Sequence, residues 1–340
     1  MMECDFDIGI IGGGCMGTSI AYELLTLGFR NIVLVDKGCF ASSATLNSGA
    51  MIRIFHENVE HIKLALANYK LLGNMQKQGV LSKKEQANGS LYFFHRNRFS
   101  EYKAGLEILN REHYPFEVID AQEGSKRFPM YEWKEDELAI YEPLACQLEA
   151  REFVENLQSA SQRFSDFTLL DAFEVKRMCS YRNHYVLCSE KQKVSVKTLI
   201  LAGGASLLSR LQDLGLRLEL ENKKVASFRS EKTVKELFVP NFFDRETLEF
   251  GGFGRQDEVV LSSVCPQRVL ETFWYDNFQE RTADDCYAPN RLGMLGQVPG
   301  HSQLFIAMGW GGTGFKFALE VAKRMGVIVK TSNKEMYYGV

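Results

Sequence analysis

One stretch near the amino terminus constrains the fold more than any other: Gly12-x-Gly14-x-x-Gly17 lies between two apolar runs, Phe6 to Ile11 and Asn31 to Val35. Thr18 to Leu27 carries apolar side chains at helical spacing, so the segment reads strand, glycine turn, helix, strand. A βαβ unit of this kind commits the chain to a parallel sheet with helices packed on it. Asp36 follows the last glycine by nineteen residues, at the end of the second strand. That spacing lets a carboxylate bond a ribose hydroxyl, while amides at the helix start present the positive end of a dipole to phosphates. The unit is read as a nucleotide site, and by itself it leaves NAD and FAD both open.

The chain has 340 residues, room for two domains. Ile62 to Met75 has helical spacing, Ser90 to Phe94 and Phe116 to Ile119 read as strands, and Arg151 to Phe164 reads as a helix entered after Glu142-Pro143. Parallel and antiparallel pairing are expected side by side. Val196 to Ala202 is a buried strand ending in Gly203-Gly204-Ala205-Ser206, where backbone can approach a cofactor. Lys224 to Asp285 is aromatic and turn-rich, with Phe242-Phe243, Phe250 to Phe253 and Phe273-Trp274-Tyr275, which marks a change of domain. The last unit is again strand, glycine loop and helix: Leu304 to Met308, Gly309 to Gly314, Phe315 to Met325. The expected fold class is α/β of mixed α+β character. A Rossmann-like domain (1–88, 145–223 and 288–340) is interleaved with a mixed-sheet substrate domain (89–144 and 224–287).

Several functions are disfavoured by charge and residue usage. With 40 Lys+Arg against 43 Asp+Glu the net charge is -3, so no overall positive field draws nucleic acid or anionic lipid. Acids in Met1 to Asp7 do not resemble a secretory signal, and the mature protein is expected to begin here. Leu292 to Phe315 lacks formal charge, but its seven glycines and its Pro299, Gln297, His301 and Gln303 make it buried core and not a membrane span. The eight cysteines form no C-x-x-C pair, and His56 and His61 are five apart, so no metal site is assigned. Scattered thiols fit a cytoplasmic location.

Three separated glycine loops and an acid at a second strand end resemble the FAD-dependent amine and amino-acid oxidases of the D-amino-acid oxidase fold (the DAO family). The likeness is strongest to the monomeric sarcosine oxidase and pipecolate oxidase branch. It spans nearly the whole chain and is carried by Ile10 to Gly17 (IIGGGCMG), Met51-Ile52-Arg53 before Leu64-Ala65-Leu66, Ile140 to Pro143 (IYEP), Leu201 to Ser206 (LAGGAS) and Gly309 to Lys316 (GWGGTGFK). The resemblance implies FAD held by Gly12, Gly14, Cys15, Met16 and Gly17 at the pyrophosphate and by Asp36 at the adenosine ribose, with Lys37 and Ser43 nearby. It implies further cofactor contacts from the backbone of Val175, from Gly203 and Gly204, and from Gly312, Thr313, Gly314, Phe315 and Lys316 at the flavin ring.

The family holds substrate carboxylate on an arginine and a lysine, which by motif are Arg53 and Lys316. A carboxylate in a low-dielectric pocket needs charge-assisted bonds, and an arginine fork offers two at fixed geometry. The implied reaction is hydride transfer from the carbon next to an amine to flavin, giving an imine that water hydrolyses. The substrate is then a small amino acid or secondary amine of sarcosine, glycine or D-amino-acid type. Thr313 replaces a histidine usual in that branch, and Asn290 stands where Pro-Asp is common. Cys286 lies near a position of covalent flavin attachment but is read as a structural buried thiol. The 265–285 segment is short for the family, so the pocket is either open or completed by a protein partner. The alternative reading is a flavin-binding subunit or scaffold with a degenerate pocket.

Overall fold

Nine strands of a mixed sheet carry the glycine loops. They are β1 (Phe6–Ile11), β2 (Ile32–Val35), β8 (Phe167–Leu170), β9 (Arg177–Tyr181), β10 (His184–Cys188), β11 (Lys193–Leu201), β17 (Met294–Gln297), β18 (Leu304–Met308) and β19 (Met336–Tyr338). A computed structural model of the chain describes residues 4–38, 43–82, 87–230, 240–248, 250–253, 259–261, 278–289, 291–331 and 336–338, and counts of elements refer to these. The sheet order is β19-β17-β18-β11-β1-β2-β8, with β10 also on β11 and β9 beyond β10. Pairing is parallel at the centre and antiparallel beyond β18 and, through β10, beyond β11. β1 pairs in parallel with β2 and β11, and β11 with β18, so the carboxyl ends of β1 and β11 lie side by side. That edge is where ligands sit in open α/β sheets.

The second sheet has eight strands in the order β16-β12-β15-β14-β13-β4-β6-β5. They are β4 (Ser90–His95), β5 (Glu117–Asp120), β6 (Glu137–Glu142), β12 (Glu221–Ser230), β13 (Asn241–Asp244), β14 (Phe250–Phe253), β15 (Val259–Leu261) and β16 (Phe278–Tyr287). Pairing is antiparallel except between β13 and β4. A short ladder, β3 (Met51–Ile52) with β7 (Cys146–Gln147), joins the loops between the sheets. Phe273-Trp274-Tyr275, Cys39, Cys265, Asn290 and residues 265–277 of the shortened segment lie outside the described residues.

The helices are α1 (Cys15–Thr26), α2 (Ala44–Asn47), α3 (Val59–Lys77), α4 (Phe99–Arg111), α5 (Ala121–Arg127), α6 (Ala150–Ser161) and α7 (Gly314–Thr331). Alternation in β1 and β2 separates two core layers: Ile10 and Leu34 face α1 and α7, while Ile11, Val33 and Val35 face Leu207 and Leu211. α1 begins at Cys15, three residues before the spacing of apolar residues suggests, because the glycine turn already closes at its N-cap Gly14. The crossing requires glycine: a Cβ on Gly17 would lie 1.9 Å from the Gly12 carbonyl oxygen, and Gly12 has φ +110° with the Ala202 carbonyl oxygen 2.5 Å from where its Cβ would be. The uncharged 292–315 stretch forms buried β17 and β18. No helix among the described residues is long and apolar enough to cross a membrane.

Candidate active site

A cavity of about 590 Å³ runs from the glycine turn of β1–α1 to the start of α7. Gly12, Gly14, Cys15 and Met16 line one end, with Asp36, Lys37 and Ser43 beside them. The Asp36 carboxylate braces the turn, its Oδ2 accepting from Gly13 N–H at 2.7 Å and its Oδ1 from Gly38 N–H at 3.1 Å. Burial pushes its pKa up, and the two amides oppose the rise. Thr45 of α2 caps the start of α1, its Oγ1 accepting the Cys15 N–H at 3.1 Å. Gly14, Cys15 and Met16 at the start of α1 line the cavity, and no acidic side chain in its first turn offsets the positive end of the dipole there.

Gly203 and Gly204 line the cavity from the end of β11, and Gly309 through Lys316 close it. Gly309 and Gly311 have φ +84° and +52°, and a Cβ on Gly311 would lie 2.4 Å from the Tyr287 ring. Thr313 turns its hydroxyl inward, its Oγ1 donating to the Trp310 carbonyl at 2.6 Å, so it holds the loop that leads into α7. Gly17 and Val175 do not line the cavity. Gly17 is buried under Gly12, and Val175 precedes β9 and packs against the core containing Phe173.

Arg53 and Lys316 both line the cavity, each 7% exposed, and are close enough for the charge of one to act on the other. Arg53 follows β3, donates from Nη1 to the Phe55 carbonyl, and lies over the rings of Phe243 (5.2 Å) and Tyr92 (5.6 Å). Burial pushes the Lys316 pKa well below the usual lysine range, the Arg53 charge pushes it further, and Glu142 opposes. Arg53 is lowered by burial too, again with Glu142 opposing. The wall thus holds two buried basic side chains, and an incoming anion favours the charged form of each.

His56 and His61 stand beside them, ring centroids 5.4 Å apart and both against Phe317. His61 Nε2 donates to the Arg291 carbonyl at 3.2 Å. Burial, with the charges of Lys316 and Arg53, lowers His56 well below the usual range and His61 to about 4, so both rings are neutral at neutral pH. Opposite, Tyr92 and Phe243 stack at 5.3 Å, and the Tyr92 hydroxyl donates to Glu57 Oε1 at 2.7 Å while Arg245 pairs with Glu57. Cys286 lines the cavity as well, with its thiol pushed up to about 12 by burial and by Asp285.

Residues 7–258 match the family described as FAD dependent oxidoreductase, DAO. The chain belongs to this family. Among curated relatives, the monomeric sarcosine oxidase of Streptomyces avermitilis is 22% identical, covering 93% of this chain and 91% of its own. Among solved structures, the L-proline dehydrogenase of P. horikoshii superposes with a TM-score of 0.84 at 17% identity, covering 98% of this chain and 96% of that one. The glycine oxidase of Geobacillus kaustophilus gives 0.82 at 17% identity, covering 98% and 97%. The family's cofactor is FAD, and the DAO cradle fits it: Cβ-free backbone at Gly12 and Gly14, an unopposed helix start at Cys15 and a carboxylate at Asp36. Thr45, His56, His61, Tyr92 and Phe243 line the cavity and Glu142 stands behind it, none of them assigned a site role from the sequence. Glu142 lies inside the IYEP motif, the signal that could have marked it.

Proposed function

We propose that the chain oxidises the carbon–nitrogen bond of a small amino acid or secondary amine to an imine, which water hydrolyses. The observation that carries this reading is the buried pair Arg53 and Lys316 on the wall of the same cavity as the glycine cradle. The pair binds the substrate carboxylate and so orients the adjacent carbon–nitrogen bond. The aromatic wall of Tyr92 and Phe243 excludes water from the guanidinium. FAD, when bound, supplies the two-electron acceptor, and the chain's part is orientation and electrostatics. No side chain is required as a base, because a neutral amine can lose hydride directly; neutral His56 and His61 add no competing charge.

Gly12, Gly14, Cys15, Met16, Asp36, Lys37, Ser43, Gly203, Gly204 and 312–316 are the cofactor contacts in this reading, supported by their common cavity. Gly17 serves the cradle by close packing, and Val175 is retained only as a backbone contact to adenine. The two sheets support the division into a cofactor domain (1–88, 145–223, 288–340) and a substrate domain (89–144, 224–287). Free thiols at Cys4, Cys15, Cys179, Cys188 and Cys286 support a cytoplasmic location. The scaffold alternative is not favoured, since the cation pair and the cavity are both present. The test is turnover with an artificial acceptor dye: from an accepted open-chain substrate, ammonia or an amine and the matching carbonyl compound, an oxo acid or an aldehyde, should appear in equal amounts. Dye reduction with neither product formed would contradict the reading.

A further inference from the structure

Behind the cation pair stands a charge that carboxylate binding does not use. Glu142, the last residue of β6, is 0% exposed and is not part of the cavity wall. Its Oε2 accepts the N–H groups of Ile54 (2.7 Å) and Phe55 (3.1 Å). Arg53 in turn donates to the Phe55 carbonyl, so one carboxylate clasps the loop that aims the guanidinium. Glu142 also acts electrostatically on both Arg53 and Lys316. The other groups facing the seat leave the balance unchanged: His56 and His61 are neutral, Glu57 is paired with Arg245, and Arg291 is exposed to solvent. Burial raises the Glu142 carboxyl, while the Arg53 charge, the Ile54 and Phe55 amides and the Tyr114 hydroxyl hold it down. Once an incoming carboxylate has drawn a proton onto Lys316, two cations and one anion surround the ligand, a net single positive charge in a desolvated site.

We propose that Glu142 is a positioning residue that sets this seat at one net positive charge and thereby selects ligands with one carboxylate over ligands with two. The inference rests on the carboxylate reading given under the proposed function. A monocarboxylate brings the seat to neutrality. A dicarboxylate leaves a negative charge uncompensated in low dielectric, where such a charge is costly. Glu142→Gln keeps an oxygen for the Ile54 and Phe55 amides but removes the charge, so the seat then matches a dianion. Glu142→Asp keeps the charge but draws the oxygen back from the amides.

The experiment titrates FAD-loaded protein with propionate and with malonate and follows the flavin absorbance change. The parent should bind propionate more tightly than malonate. In Glu142→Gln the affinity ratio should move toward malonate by about tenfold or more, as expected for one desolvated charge. Glu142→Asp should weaken both acids and leave the ratio where it was, which a purely structural role would predict for both variants. A ratio unmoved in Glu142→Gln overturns the proposal, and so does a parent that prefers malonate, which needs no variant to fold. Both acids bound, with Arg53→Met weakening both but Glu142→Gln leaving the ratio fixed, removes Glu142 alone. A parent that binds neither acid removes the carboxylate reading and this inference with it.

Discussion

Arg53 and Lys316 lie 263 positions apart in the chain and share one buried wall. Replacing either by Met should weaken a carboxylate inhibitor by about tenfold or more, the value of a charge-assisted hydrogen bond. FAD content should stay near that of the parent, and unchanged inhibitor affinity in both variants would remove the pair from the site. The pH dependence has a definite sign. Lys316 is held below its usual range in the empty seat, and an anion beside it raises it again. Carboxylate binding therefore takes up a proton where Lys316 is neutral, and affinity should fall as pH rises through its empty-site pKa. Lys316→Met should flatten that slope. Cys286 gives a second residue-scale prediction: a thiol pushed up to about 12 is protonated and a poor nucleophile. Acid precipitation should leave the flavin in the supernatant, and yellow colour retained in the pellet would show a covalent link.

At the scale of elements, α3 is tied to α7 by one buried side chain. Asn68 Oδ1 accepts from Leu319 N–H at 2.9 Å and Glu320 N–H at 3.2 Å, one turn beyond Lys316. Asn68→Ala should cost about 1–3 kcal/mol, the usual penalty for stranding a buried polar group, read as a lower urea midpoint. An unmoved midpoint would show that water or the helix itself satisfies those amides. The elements best read from sequence are those with a strong local period and a glycine boundary: β1, α1 and β2, and later β18 and α7. Their registers follow from burial of one face and from turns only glycine can make. Tyr92 and Phe243 were not legible in this way. Each is an ordinary strand aromatic, and they stack because β13 pairs in parallel with β4 across 150 residues of sequence. The spacing of His56 and His61 says nothing of Phe317, yet both rings pack against it from α7.

On the scale of the whole molecule, both sheets contribute to one cavity: β1 and β11 supply its glycine end, and β4 and β13 its aromatic wall. In the oxidase branch that the chain resembles, a lysine from the substrate-domain strand supports the superoxide formed when reduced flavin meets oxygen. No lysine occurs between Lys235 and Lys316 here; the matching strand by sequence is Glu258 to Val264, flanked by Arg255 and Arg268, and of it only Val259–Leu261 lies within the described residues. A developing anion then lacks a cation from that strand, and Arg53 and Lys316 are already engaged by the substrate carboxylate in this reading. Reduced enzyme should therefore react slowly with air-saturated buffer and faster with an artificial acceptor in stopped flow. Reoxidation by air at the rate of a competent oxidase would assign the role to another cation. The central claim, that one chain joins an FAD cradle to a carboxylate seat for amine oxidation, is tested most directly by anaerobic mixing with a panel of amino acids and N-methyl amino acids. The oxidised flavin bands should bleach with at least one of them and should persist with the matching amines that lack a carboxylate. Protein that carries no flavin, or flavin that no member of the panel bleaches, would contradict it.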